Sequence, residues 1–463
     1  MNFLEGKNRA FFIGIGGIGM SALARYLLNK GIEVFGYDRT ETQLTKTLVS
    51  EGMDIHYKDN VDLIPNDIDI VVYTPAIPSD HSQLNWFHNN GFQLYKRSEL
   101  LKEILSESKV IAVAGTHGKT STSSMLSHIL QGSDIEATSF VGGIMVNYGT
   151  NFLYGKSEWV VIEADEYDRS FLRLFPDIAI IQALDPDHLD IYGTGEEMVK
   201  SYRKFTNQIK DGGLLVVPDH VGSKMENDWI EELMDKNISI IRYGKIPSDQ
   251  KDEKDTVVHE LIAKGLHTDV KISVGDESQI LDVPFPGRHN AMNTVGAATI
   301  GHHLGMSWDE IKKTISTFKG IWRRFEIIYQ SDRQVFVDDY AHHPMEIKAM
   351  VTSLRKSFPN KKLTVVFQPH LFTRTRDFVD GFAQELDQCD EVILLPIYPA
   401  RELPIKGVTS NIILEGMRIN NKTILEKSEL INDLKEREIE VLATLGAGDI
   451  DKLVPIIKNE IFN

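Results

Sequence analysis

Apolar residues in this chain fall into short runs, separated by glycine-containing turns and by longer stretches with an apolar position every third or fourth residue. The short runs read as buried strands and the periodic stretches as helices. Residues 9–13 form the first run. GIGGIG follows, then helical spacing through Leu28. Gly31 stops that helix, and Ile32–Tyr37 makes a second run with Asp38 at its tip. Strand, turn, helix and strand in this order form a βαβ unit. Asp69–Tyr73 and Phe92–Tyr95 add two strand-like runs, and the pattern breaks at Ser106-Glu-Ser108.

A second block opens with the apolar run that begins at Val110. The helix after it places Met125, Leu126, Ile129 and Leu130 on one stripe. Trp159–Ile162, Ile178–Gln182 and Leu214–Val217 read as strands alternating with helices, which predicts a parallel sheet. The charged stretch Pro247–Asp255 reads as a solvated loop. Thr268–Val274 and Gln279–Phe285 alternate like antiparallel edge strands around a Gly275-Asp276 turn. Gly320 marks a second boundary. The last block carries strands near Val335–Val337, Leu363–Phe367, Val392–Pro396 and Val441–Leu445, with helices between them. The expected organisation is α/β in three domains, 1–105, 106–320 and 321–463.

A length of 463 residues exceeds what one core can organise and agrees with that count. The net charge of −17 argues against general nucleic-acid binding or attachment to an anionic membrane. The single cysteine, Cys389, excludes an intramolecular disulfide framework and a cysteine zinc cluster, and fits a reducing, cytoplasmic setting. Lys7 and Arg9 ahead of Phe11–Ala24 imitate a secretory leader, but the ordered glycines and the strand that follows assign this run to the βαβ unit. No run reaches the ~18 apolar residues of a membrane span. The pattern specifies no oligomeric partner.

The chemistry concentrates at turns. An apolar strand enters Gly115-Thr116-His117-Gly118, and Lys119, Thr120 and Ser121 open a helix. Such a loop grips a nucleoside triphosphate. Backbone N–H groups and the helix N-terminus face the phosphates, the lysine reaches the β/γ-phosphates, and the threonine hydroxyl binds Mg²⁺. Gly115 stands three residues before Gly118 rather than five, so the loop is tighter than GxxxxGK[ST]. Gly14-x-Gly16-x-x-Gly19 with Asp38 fits a dinucleotide fingerprint, and also fits a UDP-sugar, with Asp38 suited to a ribose or uracil contact. Glu163, Asp165, Glu166 and Asp168 follow a buried strand, where Mg²⁺ ligands belong, and Glu163 lies closest to the strand. His188, among Asp185, Asp187 and Asp190, could bind a second metal or orient a phosphate. Asn290 and Asn293, one turn apart, can read a purine edge, and Asn290 can equally cap its helix. Trp322-Arg-Arg-Phe325 offers guanidinium groups for a γ-phosphate. Asp338-Asp-Tyr-Ala-His-His-Pro344 and Phe367-Gln-Pro-His-Leu-Phe-Thr-Arg-Thr-Arg376 follow consecutive strands, and such tip loops line clefts in α/β domains.

GIGGIGMS, AGTHGKTSTSS, EADEYD, DHLD, PGRHNAMN, WRRFE, DDYAHHP, FQPHLFTRTRDF and GAGDI, in this order and through the whole chain, resemble the Mur ligase family. The resemblance implies an N-terminal Rossmann-like domain for a UDP-sugar, a central P-loop ATPase with a parallel sheet, and a C-terminal Rossmann-like domain for an amino acid. It implies ATP and Mg²⁺, and the joining of L-alanine to the carboxylate of UDP-N-acetylmuramate in peptidoglycan precursor synthesis. GIGGIGMS and FQPH…TRTRD favour this over the alternative, attachment of the tripeptide L-Ala-γ-D-Glu-meso-diaminopimelate to the same sugar nucleotide.

By the same resemblance, Gly16, Gly17, Ile18, Gly19, Asp38 and His370 would meet the substrate. Gly115 to Ser121, Asn290, Asn293, Arg324 and Asp339 would hold ATP. Thr120, Glu163 and His188 would hold metal, and Lys119, His343, Arg374 and Arg376 would serve catalysis. ATP would convert the carboxylate to an acyl phosphate, which the amine then attacks. Closure of the C-terminal domain would exclude water from that intermediate. A nicotinamide-dependent oxidoreductase would leave GTHGKT unemployed, and a non-catalytic nucleotide-binding regulator would have no use for DDYAHHP and TRTR.

Overall fold

A computed structural model of the chain describes residues 3–185, 189–400 and 402–462. Its strands form three sheets. The first holds β1 (Arg9–Ile13), β2 (Glu33–Tyr37), β3 (Asp54–His56), β4 (Ile70–Tyr73) and β5 (Leu94–Lys96) in the order β3-β2-β1-β4-β5, all parallel. Both neighbours of β1 end level with it, with Ile13 opposite Tyr37 and Tyr73. The glycine turn after β1 therefore emerges where the strand order reverses, the usual ligand crevice of an open α/β sheet.

The second sheet holds β6 (Lys109–Ala114), β7 (Thr138–Met145), β8 (Thr150–Leu153), β9 (Trp159–Glu163), β10 (Ile178–Ile181), β11 (Leu214–Pro218), β12 (Ser239–Gly244), β13 (Thr256–Lys264), β14 (His267–Val274) and β15 (Glu277–Val283). Its order is β15-β14-β13-β12-β11-β10-β6-β9-β7-β8. β6 runs parallel between β9 and β10, pairing Val113 with Glu163 and Ala114 with Ile181. That register carries Glu163 to the start of the phosphate loop. β6 is buried from Val110 to Ala114, as a doubly covered parallel strand requires.

The third sheet holds β16 (Glu326–Gln330), β17 (Val335–Asp339), β18 (Leu363–Phe367), β19 (Glu391–Leu394), β20 (Lys422–Ile424) and β21 (Val441–Leu445), in the order β16-β17-β21-β18-β19-β20. Only β16 is antiparallel in it. Leu445 lies level with both Asp339 and Phe367, so the DDYAHHP, FQPH and GAGDI loops leave one edge together.

By packing, the chain forms two compact units. One comprises residues 1–261, 270–282 and 289–318, and the other residues 262–269, 283–288 and 319–463. In the first, a single apolar core joins Leu23, Leu27 and Leu101 to Phe140, Phe152 and Ala112, so the first two sheets share their burial. In the second, apolar clusters cover both faces of the sheet, one built around Val337, Val365 and Phe382 and one around Phe336, Val366 and Ile457.

The strands expected from the sequence are present with shifted ends. Phe92–Tyr95 is Leu94–Lys96, and Gln279–Phe285 is Glu277–Val283, at the sheet edge. Strands β3, β7, β8, β12, β13, β16 and β20 were not among those expectations. Among the described residues, no helix is long and apolar enough to cross a membrane.

Candidate active site

The phosphate loop is shaped by two glycines that no other residue replaces without strain. Gly115 has φ +131, and a Cβ there would lie 2.8 Å from the Gln182 nitrogen and 2.9 Å from that of Ala183. Gly118 has φ +80 and is the N-cap of the helix Lys119–Gln131. A Cβ on it would meet Asn293 Oδ1 at 2.6 Å, which puts Asn293 against the loop itself. Thr116 is pinned to the β10 tip: its N–H donates to the Ala183 carbonyl at 3.1 Å, and its hydroxyl accepts from Asp185 N–H at 3.2 Å. His117 is exposed, and no acid occupies the first helical turn. The free N–H groups and the dipole of that turn favour an anion.

Carboxylates from the β9 end face this loop. Thr120 Oγ1 donates to Glu163 Oε1 at 3.0 Å, and Gly142 N–H donates to Glu163 Oε2 at 2.8 Å. A Cβ on Gly142 would overlap the Glu163 carboxylate, so glycine at this point of β7 is what lets the carboxylate sit here. Lys119 Nζ donates to both Glu166 oxygens at 2.7 Å and to the Gly115 carbonyl at 2.8 Å. Glu166 is 0% exposed, so this is a buried ion pair. Tyr192 donates to the Glu166 carbonyl at 2.7 Å, and burial, then the Glu166 charge, pushes its phenol up to about 12.

The Glu163 carboxylate beside the Thr120 hydroxyl is an all-oxygen donor pair, which suits a hard cation such as Mg²⁺ that keeps waters and shares phosphate oxygens. Among the described residues, no group of three or more His, Cys, Asp or Glu side chains is arranged to hold a metal by itself. His188 lies outside the described residues.

A cleft of about 270 Å³ runs from these acids to the first glycine turn, lined by Glu163, Gly142, Phe140, Gly17, Gly19 and Arg97, among others. Gly17 is the N-cap of the helix Ile18–Asn29. A Cβ on Gly19 would sit 2.6 Å from Arg97 Nη1, so the guanidinium lies directly over the first helical turn. Among the described residues no carboxylate pairs with Arg97, which leaves a cation and a helix N-terminus together in the cleft. Asp38 is turned to the loop: Oδ2 accepts from Gly16 N–H at 2.8 Å and Oδ1 from Thr40 N–H at 3.3 Å. Asn290 is the third residue of the helix Arg288–His303 and does not cap it, and its carbonyl accepts from Thr294.

The second unit carries its own cluster. His370, Arg374 and His342 converge: Arg374 Nη1 lies 3.4 Å from His370 Nδ1, and the rings of His342 and His370 are 5.9 Å apart. Burial, then the proximity of His342 and Arg374, lowers the His370 imidazole to about 4. Arg376 turns away to Asp377 at 2.7 Å. His343 is the N-cap of the helix Pro344–Ser357, with its ring accepting from Met345 N–H at 3.4 Å.

The two arginines of WRRF differ in kind. Arg323 is buried and ion-pairs with Asp338 at 3.1 Å, and its guanidinium donates to the Gly446 and Gly448 carbonyls. Arg324 is exposed. Asp339 accepts from Phe325 N–H at 2.6 Å and Ala341 N–H at 2.8 Å, and burial pushes its carboxyl up to about 6.

Sequence reasoning did not single out Arg97, Gly142, Glu166 or His342. Gly142 had a signal, since glycine inside an apolar run marks a close approach. Glu166 and His342 stood within recognised motifs. Nothing near Arg97 in the sequence points to Gly19, 78 positions earlier.

Comparison with known proteins adds family matches along the chain. The model described as the Mur ligase family catalytic domain matches residues 10–109, the Mur ligase middle domain 113–301, and the Mur ligase glutamate ligase domain 323–450. A UDP-N-acetylmuramate–L-alanine ligase of Cytophaga hutchinsonii is 43% identical, covering 97% of this chain and 96% of the relative. One of Phocaeicola vulgatus is 44% identical, covering 96% of each. Among solved structures, the UDP-N-acetylmuramate-alanine ligase of Thermotoga maritima superposes with a TM-score of 0.79 at 25% identity, over 97% of this chain and 98% of that one. A murein peptide ligase of Psychrobacter arcticus shares the fold, with a TM-score of 0.67 at 21% identity over 98% and 99%.

Proposed function

The chain belongs to the Mur ligase family, and from that premise we propose that it joins L-alanine to the carboxylate of UDP-N-acetylmuramate at the expense of ATP, in peptidoglycan precursor synthesis in the cytoplasm. The observation that carries the reading is the continuous cleft from the first glycine turn to Glu163, beside Lys119 and Thr120. A sugar nucleotide with its pyrophosphate on the turn can extend its acyl group along that cleft to the phosphate loop. The relatives that match nearly the whole chain favour L-alanine over the tripeptide. The domains of this reading are 1–105, 106–320 and 321–463.

In the proposed reaction, Gly16, Gly17, Ile18 and Gly19 bring the backbone of the turn against the UDP pyrophosphate, and Arg97 adds a cation. Asp38 sets the turn through Gly16. The loop from Gly115 to Ser121 cradles the ATP phosphates, with Asn293 against Gly118 and Asn290 toward the base. Mg²⁺ held by Thr120 and Glu163, with His188, would neutralise charge on the phosphates when bound.

A carboxylate oxygen of the substrate attacks the γ-phosphorus, the bond to the β–γ bridging oxygen breaks, and ADP leaves. Lys119 stabilises the charge that gathers on the transferred group. The neutral amine of L-alanine then attacks the acyl carbon. The tetrahedral intermediate expels phosphate, and the nitrogen gives up a proton. Arg324 and Asp339 are assigned to the nucleotide side, Asp339 by shaping the turn that carries Arg324. His370, Arg374 and Arg376 are assigned to the acyl and amine side. His343 is assigned to orienting the amine.

Phosphate release from ATP with UDP-N-acetylmuramate tests this reading, adding nothing, L-alanine or the tripeptide in turn. Turnover with L-alanine is expected. Turnover with the tripeptide alone would move the chain to the alternative substrate, and silence in all three would refute the substrate assignment. Lys119→Ala should lower turnover by at least ~10²-fold while sparing UDP-sugar binding, and near-normal turnover would overturn the phosphate-loop assignment.

A further inference from the structure

Asn151 lies in β8 with 0% exposure and reaches out of its own sheet to the helix Ile18–Asn29. Its Nδ2 donates to the Ile18 carbonyl at 2.5 Å and to Ser21 Oγ at 3.2 Å. Its Oδ1 accepts from Arg25 Nη1 at 2.5 Å. Arg25 is itself only 4% exposed and places Nε and Nη2 on Glu51 at 2.8 and 2.9 Å. Ile18, Ser21 and Arg25 stand at i, i+3 and i+7, one stripe of the helix.

The surroundings are apolar, with the Tyr26 ring 5.5 Å from Phe140 and 6.2 Å from Phe152. Apolar packing alone lets a helix slide or turn by small amounts. A buried amide does not, because a donor or acceptor that loses its partner there costs about 1–3 kcal/mol. Asn151 therefore fixes both the height and the rotation of this helix. The helix begins at Gly17, which lines the cleft with Gly19. β7, the neighbour of β8, carries Gly142 and so Glu163 on the facing wall.

Resting on the proposed function, we propose that Asn151 is a positioning residue for ligation. Through the Ile18 carbonyl it sets the span between the glycine turn that holds the UDP-sugar and the acids beside the phosphate loop. It thereby sets where the acyl carboxylate meets the γ-phosphate. A displacement of about 1 Å in such a geometry can cost ~10²-fold in rate.

Asn151→Asp separates this role from stability. It keeps an acceptor for Arg25 and adds an opposite charge, but removes the donor to Ile18. The variant should melt above Asn151→Ala, because the charge opposite Arg25 offsets part of the lost donor. Its kcat/KM for UDP-N-acetylmuramate should fall by about 10-fold or more, while ATP binding measured by calorimetry stays unchanged. Asn151→Ala, which loses both halves, should show the same kinetic loss with a lower melting temperature. An active parent beside an Asn151→Asp enzyme with unaltered kcat and KM overturns the inference alone. So does an equal loss of ATP affinity, which marks general loosening. A parent that does not turn over UDP-N-acetylmuramate overturns the premise and the inference with it. If Asn151→Asp does not fold, Ser21→Ala keeps the Asn151 Nδ2 bond to the Ile18 carbonyl and removes the second contact of Nδ2 together with the Ser21 Oγ–H bond to that carbonyl at 2.9 Å. It should raise KM for the sugar nucleotide about twofold with ATP affinity intact, and an unchanged KM sinks the inference.

Discussion

Arg97 and His370 show two ways in which a single residue takes its character from its surroundings. Arg97 lies over Gly19 at a helix N-terminus with no carboxylate among the described residues to neutralise it. Two positive features side by side are tolerable when an anion joins them. Arg97→Ala should raise KM for UDP-N-acetylmuramate about 10-fold, one charge-assisted contact, and leave KM for ATP alone; an unchanged KM would remove Arg97 from the site. His370 is held neutral, its pKa lowered from the ordinary 6.5 to about 4, first by burial. A depressed folded value favours the neutral form. Its contribution to stability is complete above about pH 6.5 and is lost as pH falls through 4. Asp339 has the opposite sign, since its carboxyl is raised from 3.8 to about 6 and its contribution is lost as pH rises through 6. The difference between parent and variant isolates one group. His370→Asn should flatten the fall in melting temperature between pH 6.5 and 4, and an identical pH profile would contradict the burial account.

At the scale of elements, the glycine in β7 has a direct mechanical consequence. An alanine Cβ at position 142 would occupy the place of the Glu163 carboxylate, and the carboxylate, on a side chain, is what moves. Gly142→Ala should leave the circular dichroism spectrum unchanged, lower kcat by about 10²-fold and raise the Mg²⁺ concentration needed for half-maximal rate. An ordinary Mg²⁺ dependence would detach Glu163 from the metal. The same strand shows where sequence patterning stops. β1, β6, β10, β11, β18 and β21 are central, covered on both faces, and appear as continuous apolar runs. β3, β16 and β20 are edge strands with half-buried polar positions, and β13 is exposed at His259 and Glu260. Their conformation comes from the strand that pairs with them rather than from their own apolar pattern.

For the whole molecule, packing gathers the chain into two compact units, and in the first of them two sheets bury their apolar surface in one core. A ligand stabilises the body that binds it, by about 2.7 kcal/mol at a hundredfold excess over Kd. ATP alone should therefore raise the calorimetric transition of the unit carrying Lys119 more than that of residues 319–463, which add only Arg324 and Asp339 to the proposed ATP contacts; a larger shift of the second transition would move the principal ATP site off the phosphate loop. The sequence by itself determined the α/β class, the central strands, both glycine turns and the family. These rest on local rules, namely residue period, φ-permissive glycines and motifs continuous along the chain. Tertiary structure alone decided that Arg97 covers Gly19, that Glu166 rather than Glu163 holds Lys119, that Asn293 presses on Gly118, and that Asn151 ties one sheet to the helix of another. Each of these is a contact between residues far apart in sequence, fixed by strand register and core packing, and no local pattern encodes it.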